Sequence, residues 1–168
     1  MAYCPDIDTC NGANVIIWTP REEILLVRHA YGSKSWALPG GAIQLGESAL
    51  AGVKRETQEE TGLILLGTLK LVALLAQRTL VTGTLTHGLL TLYSTQFYSG
   101  EITPDVTGEI SEARLVSLQE IFCGNYAVGL GYQRMIAIWK RQMHTLEVYE
   151  GALSEKVGMY LGGKVLSV

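Results

Sequence analysis

The chain has 168 residues, a formal net charge of −3 and only 17% charged residues. This length suits one domain with a hydrophobic core, and the negative charge argues against the basic face that most nucleic-acid-binding proteins carry. Because charged residues usually make up about a quarter of a soluble chain, we expect part of the surface to be covered in a homodimer. The alternative is a weakly charged monomer.

The termini and the cysteines bear on where the chain works. Residues 1–10 contain neither a basic start nor an apolar stretch, so no signal peptide is predicted. The apolar run 63–76 is interrupted by polar residues and is too short for a membrane span. Cys4, Cys10 and Cys123 are an odd number, as expected for free thiols in a reducing cytoplasm. A cytoplasmic protein without a membrane partner is therefore predicted.

The first third of the chain predicts short strands separated by turns. Residues 14–19 and 23–28 are rich in apolar and β-branched side chains, and Pro20 opens the turn between them, so a hairpin is predicted. Residues 31–35 are predicted as a loop and 36–38 as a short strand that runs into Pro39. Residues 48–61 contain no proline and are predicted to form a helix.

The rest of the chain alternates predicted strands and helices. Long strands are expected at 63–78 and 86–99, with a turn at 81–84, and residues 69–76 are apolar on both faces, which is typical of a central strand. A short strand at 113–116 and a helical turn at 118–122 follow. The final helix is predicted over 126–144, where an apolar stripe recurs at helical spacing, namely Tyr132, Met135, Ile136, Trp139 and Met143.

This order of elements predicts an α/β fold, specifically an α/β/α sandwich with a mixed β-sheet. We expect an irregular N-terminus at 1–10, one main domain at 11–144 and a C-terminal extension at 145–168. The extension would belong to the same domain or form a dimer contact.

The segment from Gly41 to Leu63 carries the strongest functional signal. In the predicted helix, Leu50, Val53 and Thr57 form one apolar stripe. Glu56 and Glu60 lie one turn apart on the same face, and Glu59 lies beside them, as the printed sequence shows. Carboxylate oxygens crowded on one helical turn suit a hard divalent cation such as Mg²⁺ or Mn²⁺. The alternative is a solvated acidic helix face.

The same segment resembles the Nudix box, the signature of hydrolases that cut a nucleoside diphosphate linked to another group. Every fixed position is filled, and only Thr57 stands where an aliphatic residue is usual; the filled positions are Gly41, Glu47, Arg55, Glu56, Glu59, Glu60 and Gly62. The resemblance implies an α/β/α sandwich fold and, in the absence of markers of other subfamilies, a MutT-like nucleotide pyrophosphohydrolase.

Residue roles follow from that resemblance. Glu56, Glu59, Glu60 and a carbonyl of Gly41 (or of its neighbour Gly40) are implied as metal ligands. Gly40 would also let the backbone approach the substrate phosphates, since it lacks a Cβ. Arg55 would reach Glu47 if Glu47 lies in the loop before the helix, and both are assigned to the catalytic machinery. Gly62 would end the helix in a positive-φ conformation.

Further site residues are expected outside the box. A glutamate from a later loop is implied as a ligand or base, and Glu109 is favoured over Glu112 because of its offset from the segment Ala113–Val116, which resembles a common family motif with Leu115 in place of tryptophan. Arg28 resembles an arginine that contacts substrate phosphate in some family members, a role that its two-pronged guanidinium group suits. The alternative is a surface residue of the strand. Trp36, with Tyr31 and Tyr93, is a candidate for lining the base pocket.

The predicted reaction is metal-dependent hydrolysis of a phosphoanhydride. Water attacks phosphorus, and Glu59 or Glu109 takes its proton. The substrate would be a small nucleotide, most simply a (d)NTP, giving a nucleoside monophosphate and pyrophosphate. The alternatives are a nucleotide sensor without turnover, and a hydrolase of ADP-ribose or of RNA 5′ ends.

Overall fold

Eleven strands and three helices occur in the residues that the computed structural model describes, which are 11–32, 34–81, 84–104, 108–141, 147–150 and 165–166. The elements in chain order are β1 (Gly12–Ile17), β2 (Glu23–His29), β3 (Trp36–Ala37), β4 (Gly40–Ala42), α1 (Ala49–Thr61), β5 (Ile64–Leu65), β6 (Lys70–Val81), β7 (Thr84–Thr95), β8 (Tyr98–Ser99), β9 (Ile110–Ser117), α2 (Leu118–Phe122), α3 (Leu130–Arg141), β10 (Glu147–Glu150) and β11 (Val165–Leu166).

The main sheet has six strands in the order β11-β10-β6-β7-β1-β4. Strand β1 runs parallel to β7, and β10 runs parallel to β6, whereas the other neighbours are antiparallel. The predicted mixed sheet is therefore confirmed. A second, antiparallel sheet has the order β3-β2-β9, and β5 and β8 form a separate two-stranded ribbon.

Helices cover both faces of the main sheet because its central strand is apolar on both sides. All six residues of β1 are buried. Ala13, Val15 and Ile17 pack in a cluster with Val53 of α1. Ile16 points to the opposite face, where it joins a cluster that contains buried residues of α3. The α/β/α sandwich is confirmed. None of the helices in the described ranges is long and apolar enough to span a membrane.

The predicted hairpin over residues 14–28 is wrong. The chain does reverse there, since the Thr19 N–H donates to the Glu23 carbonyl at 2.9 Å and Trp18 forms an isolated bridge with Ile24. After that bridge the strands separate, because β1 pairs with β4 and β7 while β2 pairs with β3 and β9. Because β4 and β7 occupy both edges of β1, no edge is left on which β2 could pair.

Two long predicted strands are each divided. The segment 63–78 forms β5 and then β6, which are separated by Gly67 at a φ of 62°. The segment 86–99 forms β7 and β8. The prediction that residues 69–76 belong to a central strand is confirmed, because β6 lies between β10 and β7.

The box helix α1 begins and ends as its sequence predicts. The Ser48 side chain caps the first turn by accepting from the Ala51 N–H, and Gly62 ends the helix in the left-handed region at a φ of 73°. Leu50 was wrongly placed on the buried stripe, since it is 40% exposed. The buried stripe is Val53, Thr57 and Thr61, and both threonine hydroxyls donate to the carbonyl four residues back.

Helix α3 is shorter than the predicted 126–144. It starts at Leu130 because the preceding segment pairs with β3 instead: the Trp36 N–H donates to the Ala127 carbonyl, and the Gly129 N–H donates to the Trp36 carbonyl. Met135, Ile136 and Trp139 are buried as the stripe predicts. Met143 and the N-terminal residues 1–10 lie outside the described residues, as does most of the C-terminal extension.

Candidate active site

The glycine pair before the helix is held against the central strand. Asn14, a buried polar residue in β1, donates from its amide to the carbonyls of Leu38 and Pro39 at 3.1 and 3.2 Å. Gly40 pairs with Asn14 in the sheet and has a φ of 131°. A Cβ at Gly40 would lie 2.1 Å from the Ala13 carbonyl oxygen, so only glycine fits there.

Two glutamates of α1 contact this glycine pair. The Gly40 N–H donates to Oε2 of Glu60 at 2.9 Å. A Cβ built on Gly41 would lie 2.7 Å from the carboxyl carbon of Glu56, so this backbone and the carboxylate lie in direct contact. Glu56 and Glu60 therefore face the same turn, as their spacing of four residues predicts. Each glutamate is matched to one of two consecutive glycines.

Arg55 connects the loop before α1 with the helix. Its Nε and Nη2 donate to the two carboxylate oxygens of Glu47, each at 3.0 Å. Its Nη1 donates to Glu56 at 2.8 Å and to Glu59 at 2.9 Å, and Nη2 also donates to the Ala42 carbonyl at 3.1 Å. The pairing of Arg55 with a loop residue at position 47 is thus present in the structure. One guanidinium group organises three carboxylates.

These contacts set the charge states of the pair. The pKa of Glu47 lies below its usual range, mainly because Arg55 donates to its carboxylate and also because the Gln44 N–H does. The pKa of Arg55 is raised by the same contact with Glu47 and then by Glu56 and Glu59. Both groups are therefore ionised throughout the range in which enzymes are usually assayed.

The carboxylate oxygens of the three helix glutamates suit a hard divalent cation, although these side chains do not converge on one point. Glu56 and Glu59 turn toward Arg55, and Glu60 turns toward the Gly40 N–H. Within the ranges that the structure describes, no three acidic, histidine or cysteine side chains are arranged to hold a metal ion. The oxygen-only chemistry and the glycine backbone against Glu56 still fit Mg²⁺ or Mn²⁺. The metal-ligand assignment stays a prediction.

Outside the box, the structure brings Arg28 and Glu112 together. They are cross-strand partners in β2 and β9, and Nη1 of Arg28 donates to Oε1 of Glu112 at 2.7 Å. Glu109, the glutamate favoured as ligand or base, is exposed just before β9, and its carbonyl accepts from the Ala30 N–H. The catalytic role of Glu109 and the phosphate role of Arg28 stay predictions.

The three aromatic candidates do not share one pocket. Trp36 is 7% exposed and packs edge-on against Tyr126, with ring centroids 5.3 Å apart. Tyr93 packs in the cluster on the other face of the sheet, beside α1. Tyr31 is 58% exposed and stacks loosely with His29.

Three residues were given no site role by sequence reasoning, and one of them, Tyr132, was predicted only as part of the apolar stripe of the last helix. Asn14 had a signal, since it is a polar residue within an apolar strand. Tyr132 packs against both the main cluster and a small cluster around Val27, and burial raises its pKa to about 12, with the charge of Glu60 as a second cause. Arg114 lies over the Trp36 ring. Tyr132 and Arg114 reach their positions through tertiary packing, which spacing alone does not reveal.

The family model described as the NUDIX domain matches residues 9–136, which include β1, the glycine pair, α1 and most of α3. The chain belongs to this family. No curated protein matches the chain.

Solved structures agree with the fold. A MutT NUDIX hydrolase from Burkholderia pseudomallei is 20% identical with a TM-score of 0.67, and the match covers 77% of this chain and 97% of that one. A MutT protein from Methanosarcina mazei Go1 is 21% identical with a TM-score of 0.66, covering 84% and 100%. The NUDIX domain of Shewanella oneidensis NrtR, solved with ADP ribose, is 14% identical with a TM-score of 0.68, covering 84% and 94%.

The family match and the intact box support a pyrophosphohydrolase that acts on compounds containing a nucleoside diphosphate. At these identities the solved structures establish the fold alone. The substrate within this class is therefore a separate question.

Proposed function

We propose that the chain hydrolyses a small nucleotide, most simply a (d)NTP, by water attack on phosphorus in a phosphoanhydride. The products would be a nucleoside monophosphate and pyrophosphate. The observation that supports this most is the arrangement around Arg55, which bonds Glu47, Glu56 and Glu59 while Glu60 accepts from the Gly40 N–H. A solvated acidic helix face would not need a shared guanidinium group or a glycine backbone packed against it.

The protein's own groups would divide the work as follows. Glu56, Glu59, Glu60 and the backbone of Gly41 would hold Mg²⁺ or Mn²⁺, in keeping with the general dependence of Nudix hydrolases on divalent metals. When bound, the ion would supply charge neutralisation and a water of lowered pKa. Arg55 fixes Glu56 and Glu59 in direction and anchors the loop through Glu47. Glu59, which is about half exposed, and Glu109 are the candidates for accepting the proton.

The test is turnover of a substrate panel by the purified protein with Mg²⁺. The panel would contain canonical and oxidised (d)NTPs, ADP-ribose, NADH, diadenosine polyphosphates, nucleotide sugars and a triphosphorylated RNA. Glu60→Gln would be measured beside the wild type, and Glu22→Gln serves as the matched control. Glu22 is exposed in the turn after β1, so its variant makes the same chemical change outside the site.

We expect the wild type and Glu22→Gln to release pyrophosphate and Glu60→Gln to lose metal-dependent turnover while its melting temperature stays close to that of the wild type. Full activity in Glu60→Gln would show that the site is assigned wrongly. The substrate with the highest kcat/KM would identify the subfamily.

The second candidate is binding or hydrolysis of ADP-ribose. The solved NrtR domain with ADP ribose belongs to the same fold, and fold alone does not fix function. Binding of ADP-ribose without turnover of any panel member would favour a sensor. Salt-sensitive binding of the triphosphorylated RNA would favour action on RNA 5′ ends, although the net charge of −3 opposes it.

A homodimer, a cytoplasmic location and the division into 1–10, 11–144 and 145–168 are also part of this proposal. The low charge content supports the dimer. Light scattering at several protein concentrations tests it, because a monomeric mass throughout would contradict it.

A further inference from the structure

A second charged cluster lies on the strand pair β2 and β9, outside the box. Arg28 faces Glu112 across the ladder, and Leu26 faces Arg114. Residues two apart on a strand project to the same face. Arg28, Glu112 and Arg114 therefore lie together and form the strand cluster. They are followed along that face by the buried Leu26. The cluster therefore lies at the end of the buried face of the small sheet, where the side chains become exposed to solvent.

Glu112 is shared between the two arginines. Nη1 of Arg28 bonds Oε1 of Glu112 at 2.7 Å, and Nη2 of Arg114 bonds Oε2 at 2.5 Å. Each carboxylate oxygen is thus used by a different guanidinium group, which leaves one positive charge in excess. The hydrogen bond from Arg28, followed by the charge of Arg114, lowers the pKa of Glu112. A carboxylate committed to two cations is poorly suited to accept a proton from water.

The aromatic residues beneath fix the orientation of Arg114. Its guanidinium carbon lies 5.5 Å from the centroid of the Trp36 ring, within the range of a cation–π contact. Trp36 is in turn held edge-on by Tyr126. The side chains of Arg28 and Arg114 are 38% and 52% exposed, so an external anion can reach both.

This cluster is connected to the box through strand β3. Trp36 is the cross-strand partner of Arg28, and Gly40 follows four residues later with its N–H on Glu60. Four residues span at most about 14 Å. The strand cluster is therefore joined to the glycine pair of the box by one short segment of chain.

We propose that Glu112 competes with the substrate's phosphate groups for Arg28 and Arg114, and so sets how much phosphate charge a substrate needs to bind. The inference rests on the proposed function. Glu112 holds both guanidinium groups in position in the free protein, and an incoming phosphate must displace its carboxylate. A substrate with a highly charged phosphate chain does this more readily than one whose chain ends in a neutral group. Glu112 is a specificity-determining residue and not a general base.

The test compares Glu112→Gln with the wild type on a nucleoside triphosphate and diphosphate of the same base. The control is Glu23→Gln, which removes the same charge at the far end of β2, where Glu23 accepts from the Thr19 hydroxyl. We expect Glu112→Gln to lower KM for the triphosphate about two- to fivefold, the range for partly exposed ion pairs. The diphosphate should change less, and kcat should stay within about twofold. Arg114→Gln should raise KM instead.

Several results would overturn the inference. An unchanged or raised KM in Glu112→Gln, with a wild-type melting temperature, would show that the carboxylate does not compete. A large fall in kcat at constant KM would place Glu112 in the proton-transfer or metal machinery. An equal KM shift in Glu23→Gln would show a general charge effect.

The proposed function can fail separately. If the wild type turns over no panel member, calorimetric binding of inorganic pyrophosphate to wild type and Glu112→Gln still tests the competition. Tighter binding to the variant would support it, and equal binding would overturn it.

Discussion

The box and the strand cluster show two ways to build a charged site. The hydrogen bonds of Arg55 end within the short segment from the end of β4 to α1, between Ala42 and Glu59. Arg28 and Glu112 are 84 residues apart and meet only because β2 and β9 pair. A site within one short segment can be recognised from the spacing of its residues in the sequence. A site formed across two strands depends on the register in which those strands pair.

The two regions also have opposite charge balances. In the box, one cation, Arg55, contacts the three carboxylates of Glu47, Glu56 and Glu59. In the strand cluster, two cations share the carboxylate of Glu112. The first arrangement attracts a cation, and the second attracts an anion. A metal-bound nucleotide carries both kinds of charge, which agrees with the proposal that both regions contact one substrate.

The largest expected effect comes from Arg55→Lys. Lysine keeps the charge but cannot donate in a fork to Glu47 while also bonding Glu56 and Glu59. We expect kcat/KM on the best substrate to fall by about 10²-fold, because misplaced catalytic groups are costly even at distances near 1 Å. Lys54→Arg, the reverse exchange on the preceding residue of α1, is the control. If Arg55→Lys keeps more than half the activity, the guanidinium group is not needed to organise the site.

Gly40→Ala should produce the largest loss of stability. The added Cβ meets the Ala13 carbonyl at 2.1 Å, and the backbone φ is 131°. We expect the free energy of unfolding to fall by about 3 kcal/mol or more, measured by chemical denaturation. Gly46→Ala is the control, since Gly46 also has a positive φ (82°) but nothing lies within 4 Å of its Cβ position. That variant should lose only about 1–2 kcal/mol. Equal losses would mean that β1 does not constrain the turn.

Low pH should reduce the stability of the fold, because one glutamate in each region has a lowered pKa. Arg55 lowers the pKa of Glu47, and Arg28 lowers that of Glu112, each from a usual value of 4.5. A carboxyl with a lowered folded pKa contributes stability above its unfolded pKa and loses it as pH falls through the folded pKa. The melting temperature should therefore decline as pH falls below about 4.5, and Glu47→Gln and Glu112→Gln should each flatten part of that decline. Curves that run parallel to the wild type throughout would contradict this.

The difference between local spacing and strand register also explains which features of the fold and site could be predicted from the sequence. The helix that carries Glu56 and Glu60 and its end at Gly62 were predictable, because helical spacing and left-handed caps are local properties. The partner of β1 was not, since an apolar strand of six residues does not specify which neighbour covers its edges. Arg114 lies in the segment that resembles a family motif, but its position over Trp36 was not predictable, because that position depends on the register of β9 against β2.

The smallest expected effect comes from Tyr126→Phe. The pKa of Arg114 lies above its usual value, mainly because of a hydrogen bond with Tyr126 and then because of the charge of Glu112. Phenylalanine removes that hydroxyl but keeps the edge-on contact with Trp36. We expect KM for the triphosphate to change by less than about twofold, as for other exposed charged contacts.

The reason is that Arg114 has two other restraints, the Glu112 carboxylate and the Trp36 ring. Trp36→Leu is the comparison, since it removes the ring itself and should raise KM more than Tyr126→Phe does. If Tyr126→Phe instead lowers kcat as much as Arg55→Lys, the strand cluster acts in the chemical step. The contrast between a cation-binding box and an anion-binding strand pair would then be wrong, and both regions would belong to a single catalytic network.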